Sequence, residues 1–171
     1  MGRSVMISVK PRFCDLIARE KKKIEVRKTR PKTEIPFKCY IYCTRAKRSE
    51  KLYSNGTVIV KDTRKLLDPS IRYPGSKIFQ RWNGKVIGEF VCKAILPISI
   101  TYSDTNSRLA LREFPYTCLT DKEIIDYLGN GKTGYGWHIS DLIIYDKPKD
   151  LSDFGMKRPP QSWCYAEEEK R

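Results

Sequence analysis

The chain opens with "SVMISVK", a short run rich in β-formers, and Pro11 then stands where a proline suits the first turn of a helix. In "PRFCDLIAREKK", Phe13, Leu16, Ile17 and Glu20 follow the i, i+3, i+4, i+7 spacing, which predicts a short helix with an apolar stripe of three residues. The period then falls to two. In "KKIEVRK", Lys22, Ile24, Val26 and Lys28 point one way and Lys23, Glu25 and Arg27 the other, so a second strand with a basic, charged face is expected. "PFKCYIYCT" predicts a third strand, with Cys39, Ile41 and Cys43 alternating against Lys38, Tyr40 and Tyr42.

From about Arg45 to Asn83 the pattern weakens into the turn signals "SNG", "DPS" and "YPGS" around one hairpin-like run, "GTVIVKD". This stretch, 45–83, is expected to be an insertion after the third strand. The strongest strand signal follows in "GKVIGEFVCKAILPISI", where Gly88 marks a bulge or a close approach of backbone. In "CLTDKEIIDYLGNG", Thr120 caps a second helix with Glu123 at the box position. Ile124, Tyr127 and Leu128 give its stripe, and Gly129 closes it. "GYGWHISDLIIYDKP" returns to strand, and "RPPQSWCYAEE" offers a last one after a rigid proline pair. Several strands with two or more short flanking helices predict an α+β domain built on a mixed β-barrel. At 171 residues the chain is long enough for one such domain with a real core, 1–171, and short for two.

Charge changes the picture more than composition does. Lys plus Arg number 34 and Asp plus Glu 20, a formal net charge of +14, which favours polyanionic partners and says nothing about fold. No run approaches the length of a membrane span, and "MGRSVMISVK" lacks the apolar core and cleavage site of a signal peptide. The leading "MG" suggests myristoylation, but that pattern wants Ser or Thr where Met6 stands. A cytoplasmic protein with no membrane partner is expected. The six cysteines form no CxxC pair. Cys39 and Cys43 would share a strand face about 13 Å apart, too far for a disulfide or a shared zinc. Reduced, mostly buried thiols and no metal or other cofactor follow.

The order strand, helix, then "EKKKIEVRK" resembles the ASCH domain family of the PUA-like superfamily, whose signature is a helix ending near a G-x-K-x-x-E-x-R segment. Lys22, Glu25 and Arg27 match it, and Glu20 stands where the family usually has glycine. "GKVIGEFVC", "CLTDKEIIDYL" and "YGWHISDLIIYDKPKDL" look like the family's second half. The resemblance implies a PUA-like barrel with a cleft beside the first helix that binds RNA, single-stranded nucleic acid or a modified nucleoside. Some members are hydrolases that deacetylate acetylcytidine or cut RNA. In the amidohydrolase members a lysine, a threonine three positions on and a glutamate near the second helix form the site. Here Lys22 matches the lysine, Glu25 occupies the threonine position, and Glu123 and Asp126 are the acids nearest the glutamate's place at Tyr127.

The residues support a polyanion cleft on their own terms. Glu25, two residues from Arg27 on a strand, can brace its guanidinium for planar, bidentate contact with phosphate. Lys22 and Lys28 can lay their stems on apolar surface with the ammonium groups at a rim. A run such as Lys21 to Lys23 is equally what a solvated face or a helix C-terminus looks like. Bases held on a basic groove also need rings to stack on, and Tyr40, Tyr42, Trp137 and Trp163 are candidates; tryptophans are also common core residues. Arg30 belongs with the same basic group. The ligand-binding set is thus Lys22, Glu25, Arg27, Lys28, Arg30, Tyr40, Tyr42, Trp137 and Trp163. His138 could carry a proton near Asp141, although strand geometry puts residues three apart on opposite faces, and a lone strand histidine is commonly structural. With no Ser-His-Asp order, Gly-rich phosphate loop or metal constellation, any chemistry rests on lysine, glutamate and tyrosine. The catalytic candidates are Lys22, Glu25 and Glu123. A lysine acting as nucleophile or base must shed its proton, which neighbouring cations encourage and an adjacent carboxylate opposes. The leading expectation is an RNA- or nucleotide-binding module; the alternative is a small metal-free hydrolase that uses Lys22.

Overall fold

The computed structural model describes residues 2–45, 52–54, 57–60, 82–99, 115–129 and 131–167. In chain order these form β1 (Gly2–Val9), α1 (Pro11–Ala18), β2 (Ile24–Arg27), β3 (Phe37–Cys43), a hairpin of β4 (Leu52–Ser54) and β5 (Thr57–Val60), and β6 (Val86–Ser99). There follow a 3₁₀ turn (Pro115–Thr117), α2 (Asp121–Leu128), β7 (Thr133–Lys149), a second 3₁₀ turn (Leu151–Phe154) and β8 (Trp163–Tyr165). Apart from its hairpin, the expected insertion at 45–83 lies mostly outside the described residues. Its two ends meet: the Gly84 N–H donates to Cys43 O at 3.0 Å, beside the β3–β6 pairing.

Six strands make one sheet in the order β2-β7-β6-β3-β1-β8. β1 and β3 are parallel, as the crossover through α1 and β2 requires, and the other pairings are antiparallel. The long pair β6–β7 carries three register shifts, which bend the strands and curl the sheet. At Gly88 a side chain has no room, since a Cβ would lie 2.3 Å from Ile143 O. The segment that follows the outer strand β2 is then tied to the other outer strand, β8. Trp163 Nε1 donates to Thr29 Oγ1 at 2.9 Å, and the Lys32 N–H donates to the Tyr165 hydroxyl at 2.9 Å. This is an α+β half-barrel.

Period-two alternation sorts the strands between cores. Val5, Ile7 and Val9 of β1, Phe37, Cys39, Ile41 and Cys43 of β3, and Trp137 and Ile139 of β7 fill the barrel with Cys14 and Ile17 of α1. The opposite faces of β1 and β3 put Met6, Tyr40 and Tyr42 under Phe154 in a second cluster. A third joins Ile24 and Val26 of β2 and Ile98 of β6 to Ile124 and Leu128 of α2. Gly134 lets α2 approach, because a Cβ there would stand 2.4 Å from a Leu128 methyl carbon.

β2 is therefore covered on both sides, and all four of its residues are buried. The expected basic face of this strand turns inward: Ile24 and Val26 lie under α2, while Glu25 and Arg27 are buried charges. The helix stripes match the expectation in part: Ile17, Ile124 and Leu128 are buried as expected, and the other stripe positions are not. α1 buries Pro11, Cys14 and Ile17, with Phe13 and Leu16 half-buried and Glu20 exposed beyond the helix. α2 buries Ile124 and Leu128 and leaves Tyr127 37% exposed. The expected Thr120–Glu123 box is formed in full, and Gly129 ends the helix at φ 93°. All six cysteines are free, four of them buried. Among the described residues, no helix is long and apolar enough to cross a membrane.

Candidate ligand-binding cleft

The site begins at the end of α1. Glu20 adopts φ 56°, in the left-handed region. Its N–H donates to Ile17 O, and the Lys21 N–H donates to Leu16 O, the paired bonds of a Schellman turn. Glycine is the residue best suited to that position, a physical reason for the glycine of the signature that Glu20 replaces. The Lys22 N–H bonds to the same Leu16 carbonyl, so Lys22 leaves the turn before β2 starts, and strand alternation does not govern it.

Lys22 consequently stands in the interior, 1% exposed, and not at a rim as its spacing from Ile24 suggested. Its Nζ donates to Thr117 O at 2.5 Å, lies 3.2 Å from Glu25 Oε2, and sits 4.9 Å from the centre of the Phe13 ring. Glu25 Oε1 pairs in turn with Arg27 Nη2 at 2.9 Å, and that nitrogen donates to Ser8 O at 2.6 Å. A string of three buried charges thus runs from the 3₁₀ turn before α2 to β1. It is incompletely satisfied: Glu25 Oε2, close to Lys22 but without hydrogen-bond alignment, and Arg27 Nε are buried with no hydrogen-bond partner. Open valences of this kind are uncommon in protein interiors.

The string lines a cleft of about 370 Å³ between α1, β2 and α2, a volume within the usual range of small-molecule sites. Ser8, Lys10, Arg12 and Phe13 form one wall, and Leu119, Glu123, Asp126 and Tyr127 form the other. Across the mouth Arg12 Nη2 pairs with Glu123 Oε1 at 2.9 Å. Glu123 Oε2 accepts from the Thr120 N–H and hydroxyl. Burial pushes the Glu123 pKa up, but the Thr120 N–H, the hydrogen bond and charge of Arg12, and the Thr120 hydroxyl outweigh it and hold the carboxyl below its ordinary value.

Of the expected site residues, Lys22, Glu25, Arg27 and Glu123 line this one cleft. Lys28, exposed, stands with its Nζ 5.3 Å from the Tyr127 ring centre at the cleft's edge, and Arg30 lies over Tyr135. The expected stacking rings are elsewhere. Tyr40, 2% exposed, packs on Phe154, and Trp137, fully buried, packs edge-on against Phe37. Both are core side chains with no face left for a base. Trp163 is half-buried between Trp137 and Tyr165 and serves to tie the sheet edges. Tyr42 is buried in the second cluster and reaches a different groove. The aromatic rings on the cleft are Phe13 and Tyr127, both of which the helical periodicity had marked as stripe residues. His138 Nδ1 meets Ser140 Oγ at 2.8 Å, whereas Asp141 pairs with Lys93; the two do not form a proton relay.

This curled sheet with a cleft between two short helices has the fold of ASCH domain structures. The structure is similar to crystal structures of an ASCH protein from Zymomonas mobilis, with TM-score 0.63, 18% identity, and 97% of this chain and 89% of that chain covered. A serine-to-alanine variant of that protein superposes equally well, and a tyrosine-to-phenylalanine variant gives a TM-score of 0.61. No protein-family model and no curated protein matches the chain.

Proposed function

We propose that the chain binds RNA or a nucleotide-like ligand in the cleft between α1, β2 and α2. The observation that carries this reading is a cleft of about 370 Å³ whose mouth presents the cations Lys10 and Arg12 and the exposed ring of Tyr127 above the buried string of Lys22, Glu25 and Arg27. Cations to meet phosphate and a ring to meet a base are the two requirements for holding a single strand. Asp126, exposed on the same wall, is an acceptor for base or ribose donors. The net charge of +14 adds a long-range pull on any polyanion.

Hydrolysis of a modified nucleoside or of RNA is supported by the placement of Lys22, Glu25 and Glu123 on one cleft. Their polar atoms are, however, largely engaged: Lys22 by Thr117 and Glu25, and Glu123 by Arg12 and Thr120. Binding is the better-supported reading. The test is titration of single-stranded RNA at several salt concentrations with wild type and the Lys10→Gln/Arg12→Gln variant. Two fewer phosphate contacts should lower the slope of log affinity against log salt by about 1.4. An unchanged slope and affinity would remove the cleft from the binding surface. Acetate release from acetylcytidine by the wild type would move the balance to hydrolysis.

A further inference from the structure

A second groove, of about 770 Å³, opens on the other side of Ser8. Ser8 lines both it and the cleft, at the end of β1. We propose that this groove receives the nucleotides flanking the one held in the cleft, so that a single RNA strand crosses Ser8 and occupies both. The inference rests on the cleft reading above and extends it from a nucleotide to an oligonucleotide.

The groove's chemistry supports a sugar-phosphate chain. Its cations are Arg45 and Lys157, and its carboxylate, Asp150, is already paired with Lys85 at 2.5 Å. With Asp150 neutralised by that pair, the charge left to a ligand is positive. Tyr42 reaches the same groove from the second core cluster. Opposite lies the Pro159–Pro160–Gln161 segment, fixed by the Ser8 hydroxyl, which donates to Pro160 O at 2.6 Å, and by the Ser8 N–H, which donates to Ser162 O at 2.9 Å. Ser8 O meanwhile accepts from Arg27. One residue thereby anchors the wall of the groove and a buried cation of the cleft, and the two sites are held in a fixed mutual position. Preset geometry of this kind lets a second contact form at little further entropic cost.

The test compares chain lengths. Nucleoside 5′-monophosphates and the matching five-nucleotide homopolymers are titrated into wild type and into Arg45→Gln/Lys157→Gln, whose changes lie outside the cleft. In the wild type the best homopolymer should bind at least about tenfold tighter than its own monophosphate. The double variant should lose that gain, with a salt slope lower by about 1.4 and monophosphate affinity within about twofold of wild type. A homopolymer that binds no tighter than its monophosphate, or a gain that survives the double variant, overturns the two-site path while leaving the cleft intact. If neither ligand binds the wild type, the cleft reading fails and the path fails with it.

Discussion

Replacing Lys22 with methionine removes the first charge of the buried string while keeping nearly its volume. The side chain is wholly inaccessible, so no water replaces what is lost. Thr117 O loses its donor, which costs about 1–3 kcal/mol for a buried carbonyl, and Glu25 keeps Arg27 as its one cation. The sum should be about 2–4 kcal/mol, below the upper end for a broken buried pair because the second cation remains. Glu25→Gln is the harsher change, since it strands two cations beside a neutral amide, and about 3–5 kcal/mol is expected. The double variant strands one cation and not two: no ammonium is left, the glutamine oxygen can accept from Arg27, and the loss at Thr117 O is the one already counted for Lys22→Met. Its cost should therefore fall short of the sum of the singles by about 1–3 kcal/mol. Urea unfolding followed by circular dichroism measures all four proteins. Additivity within about 0.5 kcal/mol, or a Lys22→Met protein as stable as wild type, would show that the three charges are not one electrostatic unit.

Glu20→Gly places the preferred residue at φ 56° and should raise stability by about 0.5–1 kcal/mol; a lower melting temperature would refute the Schellman reading of the turn. Tyr127→Ala should weaken RNA binding by about 1–3 kcal/mol with little change in melting temperature, whereas Tyr127→Phe, which keeps the ring, should leave affinity nearly unaltered; unchanged binding by Tyr127→Ala would remove the stacking role from this ring. Glu123, held below its ordinary 4.5, contributes stability that is complete above its unfolded pKa and lost as pH falls through the lower folded one. Asp15, raised chiefly by burial against the opposing pull of Arg19 and Lys21, works in the reverse direction, so the difference between wild type and Glu123→Gln isolates the effect. That difference in melting temperature should shrink as pH is lowered from 6 to 3; a constant gap would place the carboxyl outside the linkage.

The elements were legible because each has a local cause: Pro11 at a helix start, the Thr120–Glu123 box, the β-formers of β1 and the alternation of β3. The placement of Lys22 was not. Period two extrapolated through "KKIEVRK" assigns it to the face of Ile24, but the left-handed turn at Glu20 intervenes, and its only local hint was the expected glycine. The rings failed for a different reason. Alternation put Tyr40 and Tyr42 correctly on the face opposite Cys39, but only the 3₁₀ turn that carries Phe154, over a hundred positions downstream, makes that face a core. Tyr127 was read as stripe because i+3 spacing cannot tell the last buried position of a short helix from the first exposed one. Glu123 was legible as a cap. Its partner Arg12 was not, because their pairing spans the cleft between two helices distant in sequence.

Depth in the cleft separates the roles that substitutions there can report. Arg27 holds Ser8 O and Glu25 with one nitrogen, and in doing so joins β2, at one edge of the sheet, to β1, which pairs with β8 at the other. Any change at Arg27, Glu25 or Lys22 therefore alters the closure of the barrel together with the electrostatics of the cleft. Lost affinity at these positions is a statement about both. Lys10, Arg12 and Tyr127 stand at the mouth, on helices or at their starts, and contribute little to closure. A ligand role is thus read cleanly only at the mouth. The buried charges act at one remove: an ion string that an apolar core could replace at equal or better stability fixes where the cations of the cleft must stand, and the barrel is the frame that keeps them there.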